Sequence, residues 1–148
     1  MPNPEEEIAG MEFVWPVRVY YEDTDAGGVV YYANYLRYME RARTEWLRAL
    51  GFEQDALLAE DRVIFPVRHI EIDYLRAARF NDQLTVRARI HALGSASIEF
   101  EHRIERADGA VLCRGQVIVA CVDADRFRPR RIPDRIQQAI KGSLDNAH

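Results

Sequence analysis

The sequence predicts an α+β domain in which one antiparallel sheet wraps a single long helix. Three observations carry that expectation. Residues 34–50 repeat with a helical period, residues 84–91 and 98–105 alternate with the period of a strand, and no second helix of comparable length is available to cover the first. A lone amphipathic helix has to bury its apolar stripe against a sheet.

Residues 1–11 are polar and acidic, with Glu5, Glu6 and Glu7. They read as a flexible leader before a single domain over residues 12–141, and residues 142–148 read as a tail. The leader has no basic start followed by an apolar run, so a signal peptide is not expected. Residues 14–22 are rich in β-branched and aromatic side chains and predict the first strand. Val17, Val19 and Tyr21 would then point one way and Arg18, Tyr20 and Glu22 the other. Asp23, Thr24, Asp25, Ala26, Gly27 and Gly28 compose a turn.

In the helix, Tyr35, Met39, Ala42, Trp46 and Leu50 fall on one face, while Arg37, Glu40, Arg41, Arg43, Glu45 and Arg48 fall elsewhere. Gly51 is the expected stop, and a short helix should follow over residues 54–60. Residues 63–74 predict a strand. Next, Leu84, Val86, Ala88 and Ile90 alternate with polar residues, as do Ile98, Phe100, His102 and Ile104, the pattern of antiparallel strands with one wet face. Ala107, Asp108, Gly109 and Ala110 predict a hairpin turn into a strand over residues 111–123. Residues 133–141 predict a terminal helix.

The 148 residues are 48% hydrophobic and 30% charged, ordinary values for one soluble domain. A net charge of −4 argues against a general nucleic-acid binder. No stretch approaches the roughly 20 apolar residues of a membrane span, so a cytoplasmic protein is expected. Cys113 and Cys121 lie in one predicted strand, roughly 26 Å apart at about 3.3 Å per residue, which is too far for a disulfide. They read as buried thiols. His69, His91 and His102 have no spacing suited to a metal and read as structural or surface residues. Glu40 reads as a surface or interface charge beside Arg43. Tyr31, Tyr35 and Tyr38 suit core packing and pocket lining equally.

The chemistry concentrates between Arg18 and Gly51. Two acids, Asp23 and Asp25, stand in a glycine-bearing turn that opens a helix. Glycines allow close backbone approach, and a helix start presents unpaired N–H donors with a partial positive charge. Such a place welcomes a negative oxygen, and a carboxylate beside it can attack a carbonyl or activate water against one. On composition alone, the segment suits an ordinary turn with acidic caps as well.

The run Arg18-Val19-Tyr20-Tyr21-Glu22-Asp23-Thr24-Asp25-Ala26-Gly27-Gly28-Val29-Val30-Tyr31-Tyr32-Ala33-Asn34-Tyr35 resembles the signature of the 4-hydroxybenzoyl-CoA thioesterase family. Its continuation, Glu40-Arg41-Ala42-Arg43-Thr44-Glu45-Trp46-Leu47-Arg48, is similar to the Tol-Pal system-associated acyl-CoA thioesterase branch. The likeness extends through Tyr74, Asp82, Leu84 and the last strand.

The resemblance implies a hotdog fold, hydrolysis of an acyl-CoA thioester without metal or cofactor, and a homodimer or homotetramer with substrate between protomers. It implies that Asp25 is the catalytic carboxylate, as nucleophile or general base. It also implies that the backbone N–H around Tyr32 polarises the carbonyl. The expected substrate contacts are Tyr21, Gly28, Val30, Tyr31, Tyr32 and Tyr35. Acyl carrier protein is a further candidate partner, and a non-catalytic acyl-CoA or carrier-protein binding module is the alternative. A hotdog dehydratase would use a histidine with an acidic partner, and no histidine precedes His69.

The sequence departs from the pattern twice. Tyr32 stands where the Tol-Pal branch usually has His, and a phenol cannot act as a neutral-pH base. Residues 93–96 lack the basic run that grips CoA phosphates in the 4-hydroxybenzoyl branch, which leaves Arg126, Arg128, Arg130 and Arg131 as candidates.

Overall fold

The computed structural model describes residues 12–145. Strand β1 (Phe13–Arg18) leads through a single 3-10 turn (Tyr21–Asp23) to the long helix α1 (Tyr32–Ala49). Helix α2 (Gln54–Glu60), strands β2 (Val63–Ile64), β3 (Val67–Tyr74), β4 (Gln83–Leu93), β5 (Ser97–Arg106), β6 (Val111–Ala120) and β7 (Val122–Asp123), and helix α3 (Asp134–Asp145) follow. The main sheet has the order β1-β4-β5-β6-β3 with every pair antiparallel, and β2 pairs with β7 apart from it. Helix α1 packs on β1 and β4, so the sheet wraps the helix as expected.

Five boundaries differ from the expectation. The first strand stops at Arg18, paired with Gln83, rather than at residue 22. The carboxylate of Asp23 accepts the N–H of Tyr20 at 2.8 Å and the N–H of Asp23 donates to Tyr20 O at 3.0 Å, which winds the chain into the 3-10 turn. Val19 is therefore buried while Tyr21 is 79% exposed, and the expected alternation ends between them. The predicted strand over 63–74 breaks around Pro66, which has no N–H for a ladder. The strand over 111–123 breaks at Cys121, where the chain turns from β3 to β2. Helix α1 begins two residues early, at Tyr32, and α3 runs to Asp145 rather than residue 141. The leader falls outside the described residues.

The end of α1 follows its sequence signal. Gly51, at φ +100°, donates to Arg48 O at 2.9 Å, and Phe52 donates to Leu47 O at 3.1 Å, a Schellman closure that needs the left-handed conformation glycine supplies.

Two apolar clusters fill the space under the sheet. One joins Tyr35, Tyr38, Met39 and Ala42 of α1 to Leu84 and Val86. The other joins Leu47 to Phe100, Val117 and the isoleucines of α3. Each fully buried side chain of this size contributes about 1.5–3 kcal/mol. Cys113 and Cys121 are both buried free thiols, and burial pushes them up to about 12 and about 11.

Candidate active site

Residues 23–31 form a tight hairpin at the mouth of α1. Tyr31 N–H donates to Asp23 O at 2.9 Å, Thr24 bridges Val30, and Asp25 N–H donates to Val29 O at 2.9 Å. Gly28 closes the turn at φ +78°, a conformation L side chains rarely adopt, and donates to Asp25 O at 3.0 Å. The Oδ1 of Asp25 accepts the N–H of Gly27 at 2.8 Å, which fixes the carboxylate on the turn. Asp25 is exposed. The hairpin is sewn to the loop after β3, with Val30 N–H donating to Ala78 O at 2.8 Å and Ala78 N–H donating to Tyr35 Oη at 2.9 Å.

The first turn of α1 is under-bonded. Tyr31 at the N-cap offers no side-chain acceptor, and among the described residues no acceptor takes the N–H of Tyr32. That orphan donor lies at the positive end of the helix, beside the arm of the hairpin opposite Asp25.

The expected contact residues separate into two groups. Tyr21, Tyr31 and Tyr32 are exposed around the hairpin; Tyr21 stacks edge-on against Phe80, and Tyr32 packs against both Tyr31 and Tyr74. Val30 and Tyr35 instead belong to the core, at 4% and 3% exposure. They hold the hairpin from beneath, and their polar groups are taken by Ala78. Tyr38 is buried too. Its phenol pKa is raised first by burial and then by the neighbouring Asp23 carboxylate.

Phe80 was not singled out in the sequence, and Tyr74 stood out only as part of the family likeness, because their place beside the hairpin depends on contacts more than forty residues away in the chain. Of the C-terminal arginines, Arg130 donates to Asp61 O at 2.6 Å and Arg131 pairs with Asp134 at 3.5 Å.

A cavity of about 280 Å³ opens at the other end of α1. Its walls include Glu40, Arg43, Trp46 and Leu47 from the helix, Phe65 between β2 and β3, Val67 at the start of β3, and Phe100 from β5. Arg43 stands 11 residues along the helix from Tyr32, about 16 Å at 1.5 Å per residue. The sequence held a signal for this feature. Met39, Arg43 and Leu47 are spaced four apart, which sets a cation on an apolar face.

Among the described residues no cluster of His, Cys, Asp or Glu could hold a metal, and no helix is long and apolar enough to cross a membrane.

Comparison with known proteins agrees with this architecture. The profile of the thioesterase-like superfamily matches residues 19–140. The acyl-CoA thioester hydrolase YbgC of Escherichia coli O6:H1 is 47% identical over 129 residues, covering 87% of this chain and 96% of that one. The acyl-CoA thioesterase YbgC of Haemophilus influenzae is 47% identical over 128 residues, covering 86% and 93%. Among solved structures, a 1,4-dihydroxy-2-naphthoyl-CoA thioesterase from Synechocystis superposes with a TM-score of 0.82 at 25% identity, covering 88% of this chain and 96% of that one. With a hotdog sheet around its long helix and this likeness along most of its length, the chain belongs to the thioesterase-like superfamily.

Proposed function

We propose that this protein hydrolyses an acyl-CoA thioester, with Asp25 as the catalytic carboxylate and the N–H of Tyr32 as the donor to the oxyanion. The unclaimed N–H at the mouth of α1, next to a hairpin that fixes an exposed carboxylate, is the observation that carries the reading. Water adds to the carbonyl carbon, the C–S bond breaks, and the products are a carboxylic acid and the CoA thiol. Asp25 either takes the proton from that water or attacks first, giving an anhydride that water then opens. A donor aimed at the developing oxyanion contributes about 3–4 kcal/mol in comparable sites. Tyr32 takes part through its backbone.

A second copy of the chain completes the site in this reading. Strand β3 is a sheet edge whose other side is unpaired among the described residues, and Val67, Ile70 and Tyr74 are exposed along it. Antiparallel pairing of two such edges sets the Val67 end of one strand beside the Tyr74 end of the other. Those ends are about 23 Å apart within one chain, at about 3.3 Å per residue. Val67 lines the cavity and Tyr74 Oη donates to Tyr32 O at 3.2 Å, so pairing brings one protomer's cavity to its partner's Asp25 hairpin. The acyl group then occupies the cavity while its carbonyl meets the hairpin.

The purified protein, given a panel of acyl-CoAs with a thiol reagent, should release free CoA. Asp25→Asn should lower kcat by about 10²–10⁴-fold, the range for a positioned proton-transfer group, with the melting temperature unchanged. Full turnover by both Asp25→Asn and Asp25→Ala on every thioester would remove Asp25 from the mechanism. Sedimentation should find a dimer or tetramer; an active monomer would refute the shared site.

A further inference from the structure

A cation lies in the far half of the molecule that attack at Asp25 does not use. Arg43 occupies the inward face of α1, one turn after Met39 and one before Leu47, and its side chain reaches the underside of the sheet. Its Nη1 donates to Nε2 of His102 at 2.9 Å. His102 is 3% exposed, and its Nδ1 lies 3.2 Å from the carbonyl oxygen of Arg87. A carbonyl can only accept, so Nδ1 bears the proton and Nε2 turns its lone pair to Arg43.

A neutral ring therefore holds a desolvated cation. Burial pulls the Arg43 guanidinium down to about 10, with the exposed Glu40 carboxylate on the preceding turn opposing that shift. Among the described residues Arg43 forms no ion pair. A guanidinium carries five N–H donors in a planar fork suited to a carboxylate, and His102 accounts for one.

Arg43 is also part of the cavity wall, where most of the other residues are apolar and Glu40, exposed one turn earlier on the helix, is the one carboxylate. Such a cavity fits a ligand with an apolar body and a charged oxygen pair at its tip. A purely hydrocarbon chain would shut water away from the guanidinium and leave its donors unmatched.

We infer that the acyl group this protein prefers carries a second carboxylate at its far end, seated on Arg43. The inference builds on the proposed function, in which the cavity receives the acyl part of the thioester.

Glutaryl-CoA and pentanoyl-CoA have equal chain length and differ in that terminal carboxylate. The wild-type protein should favour glutaryl-CoA in kcat/KM by about tenfold or more, as a charge-assisted contact implies. Arg43→Gln, which keeps a donor for His102 without the charge, should bring the ratio close to one, and Arg43→Met should do the same. A wild-type ratio near one, or a preference that survives in both variants, overturns the inference while leaving hydrolysis at Asp25 intact.

If no thioester is hydrolysed at all, the proposed function fails and the cavity is read directly. Calorimetric titration should then show hexanoate binding more tightly than hexanamide, with the difference lost in Arg43→Gln. Equal binding, or none, refutes Arg43 as a carboxylate seat.

Discussion

The two halves of helix α1 are packed differently. In the first half, Tyr35, Tyr38 and Met39 are at most 3% exposed. Gly115 lets the sheet close on them; a Cβ there would stand 3.2 Å from Met39 Cε. In the second half, Trp46 is only partly buried and a cavity persists beside Arg43. The filled half carries the Asp25 hairpin and the unclaimed N–H of Tyr32, where small displacements matter most. The looser half has room for a ligand. One helix thus supplies rigidity at its mouth and space near its end, and in the proposed dimer each half serves a different copy of the site.

The contrast can be broken most directly at Met39. Met39→Ala removes a fully buried side chain from the filled half and should destabilise the fold by about 2–5 kcal/mol, measured by denaturant unfolding. A loss well below 1 kcal/mol would mean that this half is not tightly packed.

His102 tests the other half through pH. The unfolded chain takes up a proton at this ring below about pH 6.5. In the fold the ring resists protonation down to about 3, chiefly through burial and then through the adjacent Arg43. Its folded pKa is depressed, so stability is intact above about pH 6.5 and declines as pH falls toward 3, by up to about 1.4 kcal/mol per pH unit for one proton. His102→Gln keeps an acceptor for Arg43 and a donor for the Arg87 carbonyl but cannot titrate. It should flatten the stability profile across that interval.

Gly28→Ala sharpens the comparison at the helix mouth. An L residue at φ +78° costs about 1–2 kcal/mol. The strain falls on the hairpin that fixes Asp25, so kcat should fall more than a stability loss of that size explains. The smallest effect on folding is expected from Val67→Phe. Val67 is exposed on the cavity rim of the single chain and stands at the end of the β3 edge, so unfolding should change by no more than about 0.5 kcal/mol, with sedimentation checking that the pairing of copies is retained. KM for the acyl-CoA should rise as the cavity fills.

Much of the fold was legible in the chain. The alternation at Leu84, Val86, Ala88 and Ile90 buries as it reads, and so does the inward set Ile98, Phe100, His102 and Ile104. Gly51 ends the helix by the closure its composition suggests. At the candidate site, the turn and its two acids were visible as residue types. The division of labour among the expected contacts was not, because Val30 and Tyr35 are drawn into the core by Ala78, a residue that no local pattern connects to them.

The sequence by itself determined the periods, the turn positions and the family signature, since these depend on residues that are neighbours in the chain. Contacts between distant segments leave β3 as an open edge among the described residues and bring Arg43 to His102 across 59 residues. A side chain's period says which face it takes. What that face meets is set by sheet order and helix position, through burial and hydrogen bonding between segments distant in sequence.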